Sequence, residues 1–66
     1  MNNIIRQLRQ EHAWSQQDLA EVLGVSRQTI HALEIGKYDP SLPLAFSIAK
    51  IFGKKIEDIF DPTNGS

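Results

Sequence analysis

Apolar residues recur along this chain at three- and four-residue intervals, in five short blocks separated by turn-forming residues, and that spacing predicts helices almost throughout. Ile5 and Leu8, with Ile4 beside them, give a core face to a first helix from Asn3 to about His12, with Asn2 or Asn3 as its cap. Leu19, Ala20 and Leu23 mark a second helix over Gln16 to Leu23, and Ile30 and Leu33 mark a third from Arg27 to about Ile35. After Ser41 the pattern changes: Leu42, Leu44, Ala45, Phe46, Ile48, Ala49, Ile51 and Phe52 leave only Pro43, Ser47 and Lys50 for a polar strip. A helix apolar that far round is central in a core, or shared between the core and a partner surface. Ile56, Ile59 and Phe60 give one last helical turn before the Asp61-Pro62 break, and nothing beyond the first three or four residues reads as strand. The expected architecture is all-α, a compact five-helix bundle over residues 1–61, followed by a flexible polar tail at 62–66.

The polar residues between the blocks sharpen the boundaries. Ser15, with Asp18 three residues on, forms a capping-box pattern at the start of the second helix. Gly24 is a left-handed stop, Val25 anchors the turn, Ser26 caps the third helix and Gly36 closes it. Ala20 is small where the second and third helices cross, and Ile30 and Leu33 face back toward Leu19 and Leu23. Two short helices joined by a tight glycine-containing turn make a helix-turn-helix, which presents its second helix to the major groove of DNA. Position 29, three past the Ser26 cap, is Thr and not an acid. A carboxylate there would repel a phosphate approaching the helix end.

On a helical wheel Ile30, Leu33 and Glu34 fall together, while Gln28, Ala32 and Ile35 lie opposite, with His31 and Thr29 on the flanks. The outward side supplies the candidate base readers. Arg27 can pair bidentately with guanine, Gln28 with adenine, and Ala32 can touch a thymine methyl, with His31 at a base or a phosphate. Candidate phosphate contacts flank them: Gln16 at the start of the second helix, the hydroxyls of Ser26 and Thr29, and Lys37 and Tyr38 just past the third.

Leu8-Arg9, Ser15-Gln16, Asp18-Leu19-Ala20, Leu23-Gly24-Val25-Ser26, Leu33-Glu34, Gly36-Lys37, Pro40-Ser41-Leu42 and the closing Ile-Glu-Asp-Ile-Phe together carry a family likeness over residues 4 to 60. The chain resembles the Cro/repressor-type (XRE) helix-turn-helix regulators, particularly the small free-standing bacterial ones. The resemblance implies a lambda-repressor-like bundle, the third helix as recognition helix, and a homodimer on an inverted-repeat operator. It also implies that Gln16, Arg27, Gln28 and Ala32 face DNA, and that an Arg9–Glu34 ion pair ties the first helix to the third. Lys55 departs from the pattern, standing where the family commonly has a capping Ser or Thr.

Composition narrows the alternatives. The chain has 66 residues, no cysteine and a formal net charge of -1. A domain this short buries only about 60% of the surface its unfolded chain exposes. Disulfides and thiolate metal sites are excluded, and Trp14 is expected as a packed cover over the bundle. No stretch approaches the ~18 apolar residues of a membrane span, and no secretory leader is recognisable, so a cytoplasmic protein with no membrane partner is expected. His12 and His31 lie on different helices and no phosphate-cradling glycine loop occurs, so an enzyme, a metal, a cofactor or a small-molecule ligand is not expected. The weak net charge is unusual for a duplex binder and points to modest non-specific affinity. It also leaves open an antitoxin or co-regulator of the same fold whose main partner is another protein. Phe46, Ile51, Ile59 and Phe60 are candidates for a two-fold interface, or for the core.

Overall fold

Three serines set the starts of the three central helices. In the computed structural model, which describes residues 1–61, Ser15, Ser26 and Ser41 stand in extended backbone immediately before α2 (Gln16–Leu23), α3 (Arg27–Glu34) and α4 (Leu42–Phe52). Each hydroxyl accepts the backbone N–H three residues on, from Asp18, Thr29 and Leu44 respectively. These bonds satisfy donors that a helix leaves unpaired in its first turn. In α2 the box is reciprocal, because the Asp18 carboxylate accepts the Ser15 N–H at 2.9 Å. The flanking helices are α1 (Ile5–Glu11) and α5 (Ile56–Ile59). Gly24 and Gly53 end α2 and α4 in the left-handed conformation, with φ of 71° and 64°.

Each helix sends at least one large side chain into a common core. Ile5, Leu19, Ile30, Leu33, Ile48 and Ile59 are essentially inaccessible to solvent. Ala20, expected where α2 crosses α3, is also fully buried, and α2 packs more extensively on α3 than on any other element. A larger side chain there would force the pair apart. Trp14 is half-buried and covers one end of the bundle, its ring stacked on His12 at 4.7 Å between centroids, while His12 stacks on Phe52 at 5.3 Å. No helix among the described residues is long and apolar enough to cross a membrane.

The chain ends differ from the sequence-based expectation. Phe60, expected in the last helical turn, leaves α5 with extended dihedrals. It enters β2 (Phe60–Asp61), which pairs antiparallel with β1 (Asn2–Asn3), Asn3 opposite Phe60 and Asn2 opposite Asp61. Beside this pairing the Ile4 N–H donates to the Ile59 carbonyl at 3.0 Å. A two-residue ladder has no local signature, since its partner comes from the other end of the chain. Ile59 and Phe60 are therefore core, at 2% and 4% exposure, and are removed from the candidates for a two-fold surface. The tail expected at 62–66 lies outside the described residues.

The β1 pairing also moves the start of α1. Asn3 is in β1, so the helix begins at Ile5, and the Asn3 Oδ1 accepts the Ile5 N–H at 3.1 Å from one position further back than a standard cap. Its Nδ2 donates to the Leu33 carbonyl at 2.8 Å, near the end of α3. One amide thus starts α1 and ties it to α3. Asn3→Ala removes these two bonds and an exposed third, from Nδ2 to the Met1 carbonyl at 3.3 Å, and should lower the stability measured by urea unfolding by about 1–3 kcal/mol, the range for partly buried groups left unpaired. An unchanged midpoint would show that this bridge contributes nothing.

Candidate nucleic-acid interface

Between α2 and α3 the chain reverses within Gly24, Val25 and Ser26, and the reversal succeeds because Gly24 takes a positive φ that a side chain would strain. The Val25 N–H donates to the Ala20 carbonyl at 3.0 Å, closing the end of α2. From this turn α3 leaves with Ile30 and Leu33 buried and Arg27, Gln28, His31 and Ile35 exposed. Thr29 and Ala32 are half-buried, and no acid occupies the first turn. Lys37 and Tyr38 are exposed beyond the helix end.

Glu34 fixes how α3 is presented. Its side chain is 4% exposed, and its Oε2 accepts Arg9 Nε at 2.7 Å. The Oε1 accepts Arg9 Nη2 at 3.2 Å, and Arg9 Nη1 donates to the Trp14 carbonyl at 2.8 Å. A guanidinium fork on both carboxylate oxygens is the geometry in which a partly buried pair offsets its desolvation. The hydrogen bond to Glu34 holds the Arg9 proton more firmly than usual, against the opposing effect of burial. That contribution is present below the ordinary guanidinium range and is lost only above it, so on the Arg9 side it is constant through neutral pH.

Gln16 joins this network from α2. Its Nε2 donates to Glu34 Oε1 at 3.1 Å and lies 3.5 Å from His31 Nδ1. The carboxylate can only accept, which fixes that end of the amide as nitrogen. The amide expected at a phosphate is thus turned inward, its two hydrogens directed to Glu34 and, over a long contact, to His31. At the other end of α3 the Ser26 Oγ accepts the Thr29 N–H at 3.1 Å and lies 2.9 Å from the Thr29 Oγ1. One hydroxyl hydrogen is used between them, so one remains to donate outward.

Two concavities flank α3. One, of about 370 Å³, is lined by Arg6, Arg9, Gln16, His31, Glu34 and Ile35. The other, of about 270 Å³, is lined by Ser26, Gln28, Thr29, Ala32 and Tyr38. The outer strip of α3 stands as a ridge between the two clefts, and the charged side chains, Arg6, Arg9 and Glu34, all line the first. The sequence-predicted residues divide between the clefts, except that Arg27 and Lys37 line neither. From the sequence Arg6 is a basic residue that can lie near α3 but is given no contact; its position one turn before Arg9 places both on one side of α1. Among the described residues no group of three or more His, Cys, Asp or Glu side chains could hold a metal.

This arrangement defines a helix-turn-helix protein, and comparison with known proteins supplies the family. Residues 5–59 match the family model described as Helix-turn-helix. An uncharacterized HTH-type transcriptional regulator of Methanocaldococcus jannaschii is 65% identical over 60 residues, covering 91% of each chain. The HTH-type regulator YgzD of Bacillus subtilis is 48% identical over 60 residues, again covering 91% of each. The crystal structure of a hypothetical transcription factor, NHTF, from Neisseria superimposes with a TM-score of 0.73 at 26% identity, over 82% of this chain and 61% of that one. The chain belongs to the XRE-type helix-turn-helix family and is a transcriptional regulator with that DNA-binding fold. Its relatives include archaeal and bacterial proteins, so the likeness is not confined to the bacterial type.

Glu34→Ala leaves the Arg9 charge partly buried and should cost about 3 kcal/mol or more in urea unfolding. The double variant R9M/E34L, which removes both charges, should cost much less than the sum of the two single changes. Additive losses would rule out a coupled pair.

Proposed function

We propose that the protein is a repressor that binds an inverted-repeat operator as a homodimer, with α3 in the major groove of each half-site. What supports this reading most is the ridge of Gln28, Ala32 and Ile35 between two clefts, on a helix whose first turn carries no acid. In it, Arg27 at the helix start pairs with guanine, Gln28 with adenine, and Ala32 packs on a thymine methyl, with His31 at the edge of the reading surface. Phosphates are contacted by the free hydroxyl hydrogen of the Ser26–Thr29 pair and by Lys37 and Tyr38. Gln16 joins them by exchanging its long His31 contact for a phosphate oxygen. The protein acts in the cytoplasm, without catalysis, by occupying a promoter.

The homodimer is proposed through α4. Phe46 is 58% exposed and Leu42 64%, beside a largely apolar groove of about 280 Å³ between α4 and α5. Ile51, half-buried, contributes less than its sequence position suggested. A homodimer that meets two half-sites on one face of DNA holds its recognition helices one DNA turn apart, about 34 Å. The same exposed apolar side chains, with the net charge of -1, also suit a regulator whose main partner is another protein. The salt response separates the two readings.

Selection from random duplexes at low salt should enrich a palindrome whose half-sites are one turn apart. Gln28→Ala should then lose about 1–3 kcal/mol of discrimination at one base position per half-site. Affinity should fall steeply with salt, by about 0.9 log units per log unit for each phosphate neutralised. A flat response or no enriched palindrome would favour the protein-partner reading. Phe46→Glu should convert the dimer to monomer in sedimentation and weaken the full operator while leaving half-site contacts intact. A dimer that persists would place the interface elsewhere.

A further inference from the structure

We infer that Arg6 is a phosphate-binding residue, and that the cleft it shares with Gln16 and His31 seats a backbone phosphate of bound DNA on the side of α3 away from Tyr38. The inference rests on the DNA-binding reading above. A helix lying in the major groove has a sugar-phosphate strand on each side, and each strand needs donors to hold it. On the Tyr38 side those are a serine–threonine hydroxyl and Lys37, the residue before Tyr38 in the chain. On the other side the sequence offers Gln16, which is neutral and whose amide already donates to Glu34, and His31, assigned to a base or a phosphate, but no residue with a permanent positive charge.

Arg6 supplies what is missing there. It is exposed, lines the 370 Å³ cleft, and has no hydrogen bond or ion pair among the described residues. Arg9, one turn later, satisfies the one carboxylate lining that cleft, so Arg6 has no charge to balance there among the described residues. The cleft therefore keeps one uncompensated positive charge in a chain whose net charge is -1. A guanidinium presents a planar fork that matches two phosphate oxygens. His31 completes the rim. Its exposed ring lies 3.5 Å from the Gln16 amide at the edge of the cleft.

The test uses the whole chain and a duplex selected as above. Arg6→Gln should lower the magnitude of the log-affinity against log-salt slope by about 0.9 per protomer. It should weaken binding about tenfold per half-site, the scale of one charge-assisted contact. The loss should be equal on the operator and on base-substituted duplexes, because a phosphate carries no sequence. Arg6→Lys should restore the slope and only part of the affinity. The urea midpoint should not move, since Arg6 holds nothing in the fold. An unchanged slope in Arg6→Gln overturns the inference, and so does a loss confined to one base pair, which would make Arg6 a base reader. Inorganic phosphate alone, titrated while the Arg6 and His31 side-chain resonances are followed, should saturate only weakly. Tight saturation without DNA, together with unchanged DNA binding by Arg6→Gln, would assign the cleft to a free anion instead. Failure of the wild-type protein to bind any selected duplex would remove the DNA-binding reading itself, an outcome distinct from normal binding with an unaltered Arg6→Gln slope.

Discussion

A single carboxylate holds three helices in register. Glu34 is nearly excluded from solvent, and it is tolerated there because Arg9 from α1 and Gln16 from α2 both donate to it. Losing either neighbour leaves a charge or an acceptor partly stranded, which is far more costly than the pair is stabilising. The consequence reaches the opposite side of α3. With Glu34 anchored, the roll of α3 is fixed, and Gln28 and Ala32 are presented outward because Ile30, Leu33 and Glu34 have no other place to go. The reading surface is positioned from behind.

The two helices of the motif start differently, and the difference has a function. Both have a serine cap, but α2 carries Asp18 in its first turn and α3 carries no acid. Asp18 spends its charge locally on the Ser15 N–H and stabilises α2 as a scaffold. The start of α3 keeps the positive end of its helix dipole and a spare hydroxyl hydrogen. The weak overall charge of the protein is therefore a poor guide to its surface. Glu11 and Glu21 accept from the Gln7 and Gln17 amides one turn earlier in α1 and α2, while among the described residues Arg6, beside the recognition helix, has no hydrogen-bond or ion-pair partner.

With no cysteine, a chain of this length depends on closing its own ends. The β1–β2 pair, the Ile4–Ile59 backbone bond and the Asn3 amide join the two termini of the domain to the end of α3. Gly36 fits this junction closely: a Cβ there would lie 3.3 Å from the Met1 carbonyl oxygen, and its φ is +78°. The stability of the ends and the placement of the recognition helix are thus one problem with one solution.

The local grammar of the chain determined most of the helices. The serine caps, the Asp18 box, Gly24 and the inward set Ile30 and Leu33 are all specified by interactions within three or four residues, where periodicity and turn chemistry act directly. The Arg9–Glu34 pair was legible only through family likeness, because wheel position shows that Glu34 turns inward and not what meets it. Tertiary structure alone decided the rest. Phe60 became a strand residue and Ile59 part of the core when the last turn met Asn3 from the far end of the chain. The Gln16 amide turned from solvent to Glu34 for the same kind of reason. Arg6 acquired its setting only when α1, α2 and α3 closed around one cleft, since long-range contacts leave no periodic trace in a sequence.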